Sequence, residues 1–167
     1  VYSGVIPGQS ANIVTQFYVE GSDSLGKKST YPAAGRDSRA LFEVQDGQGT
    51  SRPIDTFRLI MLSSEASNLF ERTQRMGDAF VGATVIHNDQ EVFYDVGTRV
   101  KGSLYGRGGH DNVNTGSFKI RFHPDHRFRG VHENLSLDGS GRSQYYPTDG
   151  QDEILVTHLM NHAGGMA

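Results

Sequence analysis

The residues of this chain best suited to chemistry form a basic, glycine-rich stretch. Arg99-Val100-Lys101-Gly102-Ser103 ends one strand pattern, and Gly106, Arg107, Gly108 and Gly109 prolong it as a loop. The next strand pattern, Ser117-Phe118-Lys119-Ile120-Arg121-Phe122, carries Lys119. Free backbone N–H groups in such a loop, with Lys and Arg beside them, can hold a polyphosphate. The stretch matches neither the Walker A pattern nor the kinase G-x-G-x-x-G. A phosphate cradle and an ordinary long hairpin loop both fit it.

Other candidate groups carry less. His158 and His162 lie four apart on a helical pattern, a spacing used by metal sites. The zincin pattern needs Glu directly after the first His, and Leu159 stands there. His123, His126 and His132, with Asp125, could form a loop metal cluster or simply a polar connection between strands. The expectation is that no metal is held. No serine sits in a G-x-S-x-G elbow, so a hydrolase nucleophile is unsupported. Asp138-Gly139-Ser140-Gly141 begins like a calcium loop but lacks the further oxygen ligands, and reads as a turn.

The elements that must position these groups follow from periodicity. Thr56–Leu62, 80–86, 91–100, 117–122 and 134–137 read as strands. His87-Asn88-Asp89-Gln90 between two β-rich runs is the clearest hairpin signal. On the 117–122 strand, Phe118, Ile120 and Phe122 share one face and Lys119 and Arg121 the other. Ser63 or Ser64 can cap a short helix carrying Ala66, Leu69 and Phe70. Ile154, Leu155, His158, Leu159 and His162 predict a helix over 152–163, with Gly164-Gly165 as its stop. Before residue 50 the chain suggests short strands at Val14–Val19 and Ala40–Val44, a turn at Asp23–Gly26, and a linker from Asp46 to Pro53. The fold class expected is α+β.

The chain has 167 residues, which suits one domain or one domain and a piece of another. Apolar residues make up 35%, and 21 glycines bring the total near that of ordinary globular proteins. The net charge of -3 argues against whole-domain attraction to nucleic acid or anionic lipid, although a local basic strip is compatible with it. No apolar run is long enough to span a bilayer. The absence of cysteine excludes disulfides and thiolate chemistry. Val1-Tyr2-Ser3-Gly4 shows no initiator Met or basic leader, and Gly164-Gly165-Met166-Ala167 follows directly on the helix pattern. Both ends read as cut, so the expectation is an internal piece of a longer protein.

Several of these segments, in order, resemble the CotH family of spore-coat-type, kinase-like proteins. They are Phe80-Val81-Gly82-Ala83-Thr84-Val85, then Val96-Gly97-Thr98-Arg99-Val100-Lys101-Gly102-Ser103, then Ser117–Phe122, Phe128-Arg129-Gly130 and Leu135-Ser136-Leu137-Asp138. They are similar to that family's "vRvKGsSS" loop, "KSFKIKF" strand and "F-x-G…LNL" segment. The resemblance covers about residues 55–167, as the N-terminal part of a CotH-like kinase domain. Residues 1–50, through Ile6-Pro7-Gly8-Gln9 and Val14–Glu20, resemble the last strands of an Ig-like module.

The resemblance implies an antiparallel sheet with a packed helix, like a reduced kinase N-lobe, preceded by partial β-sandwich strands. It implies that Lys101, Gly102 and Ser103 cover nucleotide phosphates and that Lys119 is the nucleotide-binding lysine. Glu153 is then the ion-pair partner of Lys119. ATP and Mg²⁺ are the implied cofactors and a protein Ser/Thr the implied substrate, in the full-length parent. An extracellular or cell-surface location goes with the Ig-like start. Ser103-Leu104-Tyr105 departs from the family's serine run, and Thr115-Gly116 replaces its lysine pair. The chain ends before any catalytic or metal-binding aspartate of a second lobe, so no catalytic residue is assigned and the piece alone is expected to be inactive. The alternative is a non-catalytic, β-rich surface or adhesion module binding protein or glycan. On either reading, residues 1–50 lack the strands to complete a sandwich and are expected to make few contacts with the rest.

Overall fold

A computed structural model describes residues 3–44, 55–102, 107, 117–138 and 149–164. Its centre is a five-stranded antiparallel sheet in sequential order. The strands are β5 (Phe57–Ile60), β6 (Val81–His87), β7 (Glu91–Val100), β8 (Phe118–Arg121) and β9 (Asn134–Leu137). Before it lie β1 (Val14–Gln16), β2 (Val19–Ser22), β3 (Lys28–Tyr31) and β4 (Leu41–Glu43), paired β1 with β4 and β2 with β3. Helices α1 (Ser63–Phe70) and α2 (Arg72–Met76) connect β5 to β6, and α3 (Asp149–His162) follows β9. The architecture is α+β.

Strand alternation builds the core on one face of the sheet. Ala83, Val85, Phe93, Val96, Ile120, Phe122 and Phe128 form its main cluster, all nearly inaccessible. A second cluster joins Leu69 of α1 to Val81 and Val100. The helix that packs on the described sheet is thus α1, through Leu69. The described side chains of α3, from Leu155 onward, are exposed, including Leu155 and Leu159 at 56% and 57%.

Local chemistry accounts for the connections. Asn88 and Asp89 both take positive φ, 52° and 55°, as the type I′ turn of a tight hairpin requires. The short helix begins differently from the expectation for Ser63 or Ser64. Leu62 is its N-cap and no side chain caps it. Glu71, where α1 ends, instead caps α2, its carboxylate accepting from the N–H groups of Thr73 and Gln74 at 2.8 and 3.1 Å.

One irregularity shapes the sheet. Ala83 pairs with Val96 and Val85 with Phe93, so Tyr94 and Asp95 together oppose Thr84. Asp95 sits at φ 53° in this bulge. The extra residue lets Phe93 and Val96, three apart, both face the core, and it re-aims Tyr94 and Asp95.

The expectation that residues 1–50 barely touch the rest is corrected. Arg39 donates its N–H to Asp95 Oδ1, and Thr84 Oγ1 donates to the Arg39 carbonyl. Thr84 Oγ1 also accepts from Leu41 N–H at 3.0 Å. Ser38, Ala40 and Leu41 are buried to within 1%. Phe17 and Tyr31 meet the Tyr94 ring edge-on at 5.6 and 6.5 Å. A polar threonine on the sheet's second face and the bulge on β7 supply the anchors, so the segment is fastened without completing a sandwich.

Candidate functional site

The second face of the sheet, away from the core, carries the charged side chains. Register puts Arg99 directly opposite Lys119, and Lys119 opposite Ser136. Gly82, Gly97, Arg121 and Asn134 follow one another in the adjacent row across four strands. Lys101 lies two residues beyond Arg99, and its N–H reaches the Ser117 carbonyl at 2.7 Å. Four cations therefore share this face: Arg99, Lys101, Lys119 and Arg121.

Their partners differ. Lys101 pairs with Asp138, whose other oxygen accepts from Ser117 Oγ at 3.1 Å. Arg99 meets Asp78 at 3.1 Å. Arg121 lies over the Phe80 ring, 4.3 Å from its centroid, and Arg99 lies 5.6 Å from the same ring. The Lys119 side chain makes no hydrogen bond or ion pair with the described residues. Two like charges directly opposite each other destabilise a bare strand pair by about 0.2–1 kcal/mol. Here Asp78 offsets Arg99, which leaves Lys119 as the unmatched charge of the pair among the described residues.

Two glycines keep the surface low. A Cβ on Gly97 would stand 3.1 Å from Phe80, and one on Gly82 would stand 2.5 Å from Arg39 Cγ. Bare backbone at these points lets the Phe80 ring and the Arg39 stem lie flat on the sheet. Arg107 braces the start of the following loop. It is 7% exposed, and it donates to the carbonyls of Gly102 and Gly77 at 2.8 Å each. It also pairs with Asp78 at 3.0 Å. Gly102 takes φ 120°, a conformation that favours glycine.

The structure thus brings Lys101 and Lys119 onto one face, with Gly102 at its edge. Ser103 lies outside the described residues. The backbone of Glu153 belongs to α3, and its side chain lies outside the described residues. Arg121 was legible as Lys119's face-mate from the period-two pattern. Asp78 and Phe80 carried no comparable signal, because both act through register partners distant in sequence. The histidines stay apart in role: His126 stacks on Phe93 at 4.5 Å, and His158 contacts His162. Among the described residues no three His, Asp or Glu gather as a metal site.

An open cleft of about 1170 Å³ adjoins the cationic rows on this same face. It runs between the 30–39 segment and the sheet, with Arg121 and Phe80 at its margin. Burial, and to a lesser extent Tyr31, raises the Tyr94 phenol above its ordinary pKa.

No protein-family model matches the chain, and no curated protein or solved structure matches it. Among the described residues, no helix is long and apolar enough to cross a membrane.

Proposed function

We propose that this chain is the N-lobe-like, nucleotide-phosphate-binding part of a CotH-like atypical protein kinase. In the full-length parent it would serve ATP-dependent phosphorylation of protein Ser or Thr. The observation that carries the reading is Lys119, opposite Arg99 and beside Arg121, without an acidic partner among the described residues. A row of cations on rigid strands is suited to spreading phosphate charge, with Arg in a planar fork and Lys as a point charge. Lys101, Gly102 and Ser103 would close over the phosphates from the loop side. Glu153 would orient Lys119 from the first turns of α3.

The residues present fit phosphate. They do not fit a protein-held Mg²⁺. Asp78 and Asp138 on this face each meet a cation of the chain itself, and the described carboxylates do not gather. In a kinase the metal is held by residues of the catalytic and DFG segments, which none of these residues replaces.

The test is Lys119→Ala in the complete protein, with ATP binding, phosphotransfer and a melting curve measured together. The expected result is loss of ATP binding and transfer with an unchanged melting temperature, because a half-buried lysine without an ion-pair partner contributes little to folding. Wild-type ATP binding in a folded Lys119→Ala variant would remove the residue from the site. The 167-residue chain alone is expected to bind nucleotide weakly and to turn none over.

A further inference from the structure

We infer that the cleft between the 30–39 segment and the sheet takes a cationic peptide, an extended stretch bearing Lys or Arg side chains. As a binding site it stands on the cleft alone. As the place of the protein acceptor it rests on the phosphotransferase reading above.

Size points to a polymer. At about 1170 Å³ the cleft exceeds the roughly 300–1,000 Å³ of typical small-molecule pockets, and it is open along the sheet. Charge gives the sign. Asp37, Asp95, Asp125 and Glu133 line it from three sides: the 30–39 segment, the β7 bulge and the chain between β8 and β9. Asp37 and Glu133 are exposed and meet no cation among the described residues. Asp125 has only His123, at 3.6 Å. Of the two wall arginines one is matched by a carboxylate and the other keeps its charge, against four carboxylates of the lining. Arg39 holds Glu65 through Nε at 3.2 Å and through its terminal nitrogen at 2.7 Å. Arg121 lies on Phe80. The walls therefore present more negative than positive charge to an incoming ligand.

The aromatic groups add to this. Tyr31 is 63% exposed and stands edge-on to Tyr94 at the mouth of the cleft. An exposed tyrosine ring beside carboxylates attracts an ammonium or guanidinium by its π face. Tyrosine and carboxylate also suit a neutral glycan, but a glycan leaves the surplus negative charge unmatched. The cleft meets the cationic rows at Arg121, so one face of the sheet offers neighbouring sites of opposite sign. A basic acceptor segment in the cleft would lie next to bound phosphates while being attracted by a different set of side chains.

The experiment uses the whole chain and fluorescence anisotropy. The probe is a labelled nonapeptide of alternating Lys and Ser, with an otherwise identical Glu/Ser peptide and a neutral hexasaccharide as comparisons. Binding of the Lys peptide only, weakened by salt, is the expected result. The triple variant Asp37→Asn, Asp125→Asn, Glu133→Gln should weaken it by about tenfold, the sum for three solvent-facing ion pairs. These side chains are exposed, so the variant should melt with wild type. Lys119→Ala should leave peptide binding unchanged. In the complete protein, loss of ATP binding with peptide binding retained in that variant would support both readings, whereas wild-type ATP binding would sink the nucleotide reading alone. Equal binding of both peptides, preference for the saccharide, or an unaltered affinity in the folded triple variant would overturn the cationic-peptide assignment.

Discussion

Thr84→Val is the sharpest test of how the N-terminal segment is held. Thr84 is fully buried, and its hydroxyl bonds twice, accepting from Leu41 N–H and donating to the Arg39 carbonyl. Valine keeps nearly the same shape and removes both bonds, so the cavity contribution is small. What remains is a buried backbone donor without its acceptor and a carbonyl without its donor. A buried polar group left unsatisfied costs about 1–3 kcal/mol. With two such groups left, the expected loss is about 2–3 kcal/mol, toward the lower end of their combined cost. In a chain of this length that corresponds to a melting shift of about 5–10 °C. Thr84→Ser keeps the hydroxyl and should lose less, about 0.5–1.5 kcal/mol for the missing methyl.

Urea unfolding at constant m-value measures the loss, and hydrogen exchange at the Leu41 amide locates it. The expectation is a fall in midpoint for Thr84→Val together with faster exchange at Leu41. If Thr84→Val lies within about 0.5 kcal/mol of wild type, or if Leu41 stays as protected as Ile120, then the hydroxyl does not clamp the segment and the argument for its attachment fails.

Other perturbations have equally definite outcomes. Phe122→Ala removes a ring 2% exposed that packs on Phe93 at 4.8 Å and Phe128 at 5.7 Å, and it should cost about 3–5 kcal/mol in urea unfolding. Asp55 has its carboxyl pKa lowered, chiefly by the Asn88 amide, which outweighs burial, and further by His87 and Arg129. Because the folded value is the lower one, this contribution is complete above the ordinary carboxylate pKa of about 4 and is lost as pH falls through the folded value. The stability gap between wild type and Asp55→Asn should therefore narrow in acid; a gap that widens below about pH 4 would contradict the assignment.

Much of the sheet could be read beforehand because its causes are local. Phe118, Ile120 and Phe122 alternate with Lys119 and Arg121, and that period alone assigns the two faces of β8. Asn88-Asp89 is turn chemistry in two adjacent residues, and the hairpin forms there. The bulge was not legible. Tyr94 and Asp95 look like ordinary members of an apolar run. Only the opposing strand shows that two residues face one, and that the alternation restarts at Val96. The reversal decides where Asp95 points, and so decides that residues 38–41 are fastened to the sheet. Glu71 as a helix cap was missed for a related reason: its role depends on α1 ending immediately before it.

Charge shows the same division between what a sequence carries and what register adds. With 16 basic and 19 acidic residues, the chain as a whole gives no reason to expect an anion site. Yet Arg99, Lys101, Lys119 and Arg121 collect on one face because each occupies an alternate position on two strands that happen to pair. Within a Debye length of about 8–10 Å, such a local set governs what a ligand experiences, and distant carboxylates are largely screened. Asp78 and Asp138 offset Arg99 and Lys101 on this face, and a second group of carboxylates, Asp37, Asp95, Asp125 and Glu133, lines the neighbouring cleft. Two patches of opposed charge therefore adjoin on this sheet. On the two proposals above, a phosphate and a basic peptide would take adjoining surfaces of one sheet face, with the Arg121–Phe80 contact between them.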